Sequence, residues 1–237
     1  MSETTQEMRV RLPAAVYNLA LRLGVKPEDR QPSVKLTQTG RIKRSLDSQS
    51  WMAFTATQTI SMRNCEFDWR AKVGPLGVIS VRDAYQDGAG ALSVKGFGII
   101  PIVRAASSVA LTRGELMRYL AEIAMAPDAI LGNAALRWRE VSPDTLTVSA
   151  GTGENTAEVS ISLDNDGRIT GCFAPDRPRS TTAPFLPTPW RGRFSDYRQH
   201  DGRWLPFAGE VAWEIDGKEL PYFRCRIEDW EALADIA

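Results

Sequence analysis

The chain has 237 residues, 43% of them hydrophobic, 24% charged and 8% aromatic, enough apolar content to bury a full core and too much for a disordered polymer. Twenty-nine basic residues balance twenty-nine acidic ones, so the long-range field that nucleic acids or anionic membranes respond to is missing, and no nucleic-acid partner is expected. Three scattered cysteines, Cys65, Cys172 and Cys225, fit neither a disulfide framework nor a thiolate zinc site.

Residues 1–11 are polar, lack the basic start and apolar run of a secretory signal, and are expected to be a disordered N-terminus of a cytoplasmic protein. No stretch approaches the ~20 apolar residues of a membrane span. From Pro13 to Leu23 the sequence predicts a short packing helix, with Pro13 in the first turn and Gly24 at the C-terminal end.

Beyond it lies a long series of alternating segments. Ser33 to Lys43, Trp51 to Met62, Glu66 to Val73, Gly77 to Tyr85 and Ala91 to Val103 read as strands. In Glu66 to Val73, Phe67, Trp69, Ala71 and Val73 share one face and four charged residues the other. Later strands are predicted at Ala135 to Val141, Thr145 to Ala150, Thr156 to Leu163, Arg168 to Ala174, Trp190 to Gln199, Gly209 to Ile215 and Tyr222 to Ile227. Asp-Gly pairs at 87–88, 166–167, 201–202 and 216–217 are hairpin turns between them. Thr112-Arg113-Gly114-Glu115 matches a capping box and predicts a helix running to Met125, where Pro127 stops it. Between Pro175 and Pro189 five prolines in fifteen residues predict a long loop inside a single domain of residues 1–237.

The sum is an α+β fold: a large curved antiparallel β-sheet, a half-barrel-like meander, with two or three helices on its concave face. Its chemistry is sparse. The lone His200 sits in a turn, and neither a G-x-G-x-x-G after a strand nor a phosphate-binding G-x-x-x-x-G-K-[ST] loop is present, so no cofactor and no metal are expected.

The sharpest anomaly is Asp83, which period two places on the face of Ile79, Val81 and Tyr85. A carboxylate there is either paired in a dry site, where it can serve as general acid or base, or half exposed at the strand end. On the next helix Glu115, Arg118 and Glu122 form one charged stripe. It is either a solvated ion-pair row or, if the helix lies across the sheet, a set in which Arg118 reaches Asp83 and Glu122 transfers protons. Tyr119 on that helix, Tyr85 and the tryptophans Trp69, Trp138 and Trp213 are candidate walls for an apolar or aromatic ligand, with core packing as the ordinary reading.

Four segments, Glu66-Phe67-Asp68-Trp69-Arg70-Ala71, Val81-Arg82-Asp83-Ala84-Tyr85, Gly114-Glu115-Leu116-Met117-Arg118-Tyr119-Leu120-Ala121-Glu122 and Pro221-Tyr222-Phe223-Arg224, resemble a bacterial family known only as a domain of unknown function. The resemblance spans roughly residues 32–227 and implies a single α+β domain with Trp69, Asp83, Arg118 and Glu122 close together. The strand meander with helices in its hollow also looks like the half-barrel of lipoprotein carriers, an analogy of fold alone. Two functions are expected from these features. One is a binder of an apolar or aromatic small molecule in a cavity between sheet and helices. The other is a cofactor-independent isomerase, cyclase or lyase that uses Asp83 and Glu122 as acid and base with Arg118 steadying negative charge. A protein-interaction module with no closed pocket is a third reading, and the sequence sets no oligomeric state.

Overall fold

Alternating sequence becomes strand after strand, and each Asp-Gly pair supplies the left-handed backbone that a tight hairpin needs. Asp87-Gly88, Asp201-Gly202 and Asp216-Gly217 all have positive φ at both residues. The computed structural model describes residues 12–96, 100–105 (backbone only), 107–180 and 185–234. Residues 1–11 and the central part of the proline-rich stretch, 181–184, lie outside them.

The strands are β1 (Ser33–Lys43), β2 (Trp51–Ser61), β3 (Phe67–Val73), β4 (Ile79–Gln86), β5 (Ala89–Gly96), β6 (Ile100–Ala105), β7 (Arg137–Ser142), β8 (Thr145–Ala150), β9 (Ala157–Leu163), β10 (Ile169–Arg179), β11 (Leu186–His200), β12 (Arg203–Ile215) and β13 (Lys218–Leu233). Among the described residues they make one antiparallel sheet in the order β6-β5-β4-β3-β2-β1-β13-β12-β11-β10-β9-β8-β7. Two meanders, β1 to β6 and β7 to β13, are thus joined edge to edge by the pairing of β1 with β13.

The helices are α1 (Ala14–Arg22), α2 (Val109–Glu122) and α3 (Ala129–Gly132). Helix α2 packs on β4 and β5 at one wing of the sheet and on β8, β9 and β10 at the other, so it bridges the curve. Its approach to β5 is close. A Cβ at Gly90 would lie 2.9 Å from the Leu111 carbonyl oxygen, and only glycine leaves that space open. No described helix is long and apolar enough to cross a membrane.

Three expectations need correction. The helix begins at Val109 and not at a Thr112 capping box, because Ser108 is its N-cap and accepts the Leu111 N–H. Thr112 instead accepts the Gly90 N–H, and Glu115 is buried against other strands. Helix α1, expected over the same hollow, packs on α3 and β7.

The third correction concerns the proline-rich stretch, which is largely a hairpin. Arg177, Pro178 and Arg179 of β10 pair with Thr188, Pro187 and Leu186 of β11. Prolines are tolerated there because β9 pairs with β10 only as far as Phe173 and β12 with β11 only from Trp190, so this tip carries free edges. Pro175 falls in a bulge between Ala174 and Arg177.

A dry ion pair pins the far end of the hollow. Arg203 on β12 grips Asp128, with Nε 2.6 Å from Oδ2 and Nη2 2.7 Å from Oδ1, while Oδ1 also accepts the Gln31 N–H. The remaining Arg203 donors reach the carbonyls of Asp201 and Asp29. His200, expected in an exposed turn, closes β11: its Nε2 lies 2.9 Å from the Trp230 carbonyl and its ring meets Phe207 and Trp230 edge-on.

Candidate ligand cavity

Period two turns Val34, Leu36 and Gln38 of β1 inward, and likewise Phe54, Ala56, Gln58 and Ile60 of β2 and Phe67, Trp69, Ala71 and Val73 of β3. The β4 register sets Trp69 opposite Asp83 and Asp83 opposite Leu92. The aspartate therefore faces the hollow, where α2 lies over it. Arg118 Nη1 donates to Asp83 Oδ2 at 2.6 Å and its Nε to Glu122 Oε1 at 2.8 Å. The guanidinium carbon stands 4.7 Å from the Phe67 ring centroid and 5.3 Å from that of Trp69. Arg118, Asp83 and Glu122 are each only 12–15% exposed at the side chain, which excludes a solvated stripe.

Behind this triad runs a chain of amides. The Trp69 indole donates to Gln38 Oε1 at 2.9 Å, Gln38 Nε2 to Gln58 Oε1 at 3.1 Å, and Gln58 Nε2 to Glu122 Oε2 at 2.5 Å. Each buried polar atom hands its hydrogen-bonding requirement to the next, ending on a carboxylate that Arg118 also holds.

On the other side Glu115 and Arg177 complete the cluster. Arg177 Nη2 is 3.7 Å from Glu115 Oε1, its Nε donates to the Gly114 carbonyl, and its guanidinium lies 4.5 Å from the Trp190 ring. Asp83 Oδ1 and Glu115 Oε2 are buried and accept no hydrogen from any other described residue. Glu115 is displaced from its ordinary titration range. Burial first, and then the neighbouring Asp83 carboxylate, push its pKa up to about 8 against the pull of Arg177 and Arg118. Three carboxyl groups thus face two guanidinium groups at this end of the hollow. Burial alone would lower the Arg118 pKa, but Glu122, Asp83 and Glu115 outweigh it and raise it.

Beside the cluster is a cavity of about 190 Å³. Asp83, Arg118 and Glu122 form its polar side, and Trp69, Val81, Leu92, Trp190, Val211 and Phe223 much of its apolar wall. Cys172 and Cys225 add sulfur to that wall; burial pushes both thiols up to about 12, which keeps them protonated packing groups. Gly192 makes room for one of them, since a Cβ there would sit 2.6 Å from Cys172 Sγ.

A β-bulge shapes the mouth. Val211 pairs with Phe223 and Ala212 with Pro221, which leaves Tyr222 as the extra residue and lets both Tyr222 and Phe223 line the cavity. The Tyr222 hydroxyl accepts from the Trp190 indole at 3.0 Å and from Arg177 Nη1 at 3.4 Å, and its ring stacks on Trp213.

Of the residues singled out in the sequence, Trp69, Asp83, Arg118 and Glu122 come together around the cavity. Four ligand-wall candidates do not line it. Tyr119 is fully buried, donating to the Ser61 carbonyl and accepting from Asn133, and burial raises its pKa. Tyr85 is buried at the Phe67 register, Trp138 lies on β7 at the sheet end, and Trp213 backs Tyr222 from outside. Residues missed in the sequence are Gln38, Gln58, Arg177 and Trp190. The two glutamines were legible as polar side chains on inward-facing positions, whereas Arg177 was hidden by the bulge that shifts its alternation.

The family model described as a family of unknown function, DUF6544, matches residues 2–225. The chain belongs to that family. Among curated proteins no sequence matches. Among solved structures, a LolA superfamily protein from Nitrosomonas europaea is similar with a TM-score of 0.50 and 10% identity, over 94% of each chain. A DUF1329 family protein from Desulfovibrio piger aligns with a TM-score of 0.51 and 12% identity, again over 94% of each chain. A lipoprotein-sorting protein domain from Vibrio parahaemolyticus aligns at 0.48 and 11% identity, over 97% of this chain and 90% of its own. The first two establish the fold: the α+β curved sheet with helices is that of the LolA-like half-barrel.

Proposed function

We propose that the protein binds a small apolar or aromatic molecule in the cavity under α2. The observation that carries this reading is a hollow walled by tryptophan, valine, leucine and phenylalanine side chains beside a charge cluster whose Arg118 is already held by Asp83 and Glu122. Its volume of about 190 Å³ sets the size. Dry cavities of ~150 Å³ hold a benzene ring, so one ring or a short acyl segment fits here and a whole phospholipid does not. This internally paired cluster favours a ligand that presents at most a hydroxyl or carbonyl to Asp83, Arg118 and Glu122, because an added charge there would find no free partner. Solvent extraction of protein purified from its native host, followed by mass spectrometry, tests this. A stoichiometric apolar compound, released in the denatured sample and absent from a Val81→Trp variant that fills the space, is the expected result. Native protein that carries nothing and gains no thermal stability from small aromatics or short-chain alcohols refutes it.

A second reading, a cofactor-independent isomerase, cyclase or lyase, is favoured by one observation: the buried carboxyl oxygens Asp83 Oδ1 and Glu115 Oε2 have no hydrogen-bond partner among the described residues, and Asp83 faces the cavity. A buried carboxylate with an unpartnered oxygen there suits acid–base exchange with a bound molecule. With the extracted compound as substrate, Asp83→Asn would abolish turnover while leaving binding in place; for a binder alone, no conversion is seen with either form.

A further inference from the structure

Outside the cavity mouth lies a second hollow of about 870 Å³ between the β1–β2 loop, the tip of the β10–β11 hairpin and the β12–β13 turn. Tyr222 lines both spaces, and Trp213, stacked on it, lines the outer one. Lys43, Arg44, Arg179 and Lys218 surround this vestibule, against only Asp47 and Asp216.

The state of these four cations differs from that of three arginines on the neighbouring sheet face. There Arg191 is neutralised by Glu214, Arg193 by Glu219 and Arg224 by Glu210. Around the vestibule, no described carboxylate forms an ion pair with Lys43, Arg44, Arg179 or Lys218. Lys43 Nζ sits 5.2 Å from the centre of the Trp51 ring, and Arg179 Nε donates to the Thr188 hydroxyl. The inner cavity offers an anion no such partner, because Arg118 is already shared between Asp83 and Glu122 and Arg177 is engaged by the Gly114 carbonyl and the Tyr222 hydroxyl.

We infer that the vestibule is a headgroup subsite, and that the natural ligand is an anionic amphiphile whose short apolar part enters past Tyr222 while its carboxylate or phosphate stays outside among Lys43, Arg44, Arg179 and Lys218. This rests on the binding reading above and adds the polarity and orientation of the ligand. Both charge distributions favour it: the unneutralised cations outside attract an anion, and the cations inside are already engaged.

Calorimetry with octanoate, octyl phosphate and octanol tests the assignment, using the whole chain and a Lys43→Gln/Arg44→Gln/Lys218→Gln variant, whose changes lie at the surface. In the wild type both anions bind about tenfold or more tighter than octanol, corresponding to ~1.4 kcal/mol, and the advantage shrinks as salt is added. The triple variant loses that advantage and keeps its octanol affinity. Whichever of octanoate and octyl phosphate binds tighter identifies the head as carboxylate or phosphate. If octanol binds as tightly as the anions, the headgroup subsite is wrong and the cavity reading stands. An anion preference that survives the triple variant places the head elsewhere and overturns the inference. If none of the three binds, the cavity reading falls and the subsite with it.

Discussion

The Asp128–Arg203 pair and the Asp83–Arg118–Glu122 cluster are both buried, and they are built differently. Around Asp128 one carboxylate meets one guanidinium, both carboxylate oxygens are occupied, and Arg203 spends its remaining donors on backbone carbonyls. Around Asp83 there is a surplus acid, Glu115, whose pKa burial raises, two buried carboxyl oxygens without partners among the described residues, and a cavity alongside. A closed one-to-one pair fixes chain segments. A cluster with a spare carboxyl group can exchange a proton or respond to a bound molecule, so the difference separates a structural pin from a candidate site in the same hollow.

The largest effect expected is at the pin. Asp128→Ala leaves a buried guanidinium without its partner and costs about 3–5 kcal/mol in urea unfolding, nearly independent of pH between mild acid and neutrality. A cost below ~1 kcal/mol would erase the contrast. Arg118→Met exposes Asp83 and Glu122 to each other without their cation. Its cost is about 2–4 kcal/mol near neutrality.

Glu115 sharpens the comparison further. Its folded-state pKa of about 8 lies above the ordinary 4.5, so between those values the folded protein holds a proton that the unfolded chain has released. Stability from this group is full below about 4.5 and is lost as the pH rises through about 8, at up to ~1.4 kcal/mol per pH unit. Glu115→Gln keeps the neutral amide in place and should remove that decline from a series of unfolding curves; an unchanged decline would mean that the proton sits elsewhere. The smallest effect belongs to the outer face. Arg224→Ala breaks its 2.6 Å contact with Glu210 at the exposed surface and should shift unfolding by no more than ~0.5 kcal/mol.

Much of the sheet was legible because alternation and Asp-Gly turns are local signals. β1 and β8 run over the predicted residues, and β2, β3, β4, β7 and β9 differ by a residue or two at their ends. Where a tertiary contact overrode a local rule, the sequence misled. Thr112 and Glu115 fit a capping box, yet Thr112 bonds to β5 and Glu115 faces Asp83. The prolines after Ala174 suggested a loop, yet two free strand edges accept them. Bulges were the other cause. Each adds one residue and reverses the facing of the strand residues beyond it, which hid Arg177 and made Tyr222 look solvent-facing. Asp83 and Arg118 were found because burial in period two and a helical stripe point to the same place. Gln38 and Gln58, equally inward by alternation, carry no charge to mark them.

The most direct test of the cavity is the indole N–H spectrum of the seven tryptophans during titration with a small apolar probe such as benzene. If the hollow under α2 is the binding site, the Trp69 and Trp190 resonances move together and saturate at one equivalent, while those of Trp51 and Trp138, which do not line it, stay in place. Titration that leaves Trp69 and Trp190 unmoved, or that shifts all seven alike without saturating, would contradict a specific apolar site beside Asp83, Arg118 and Glu122.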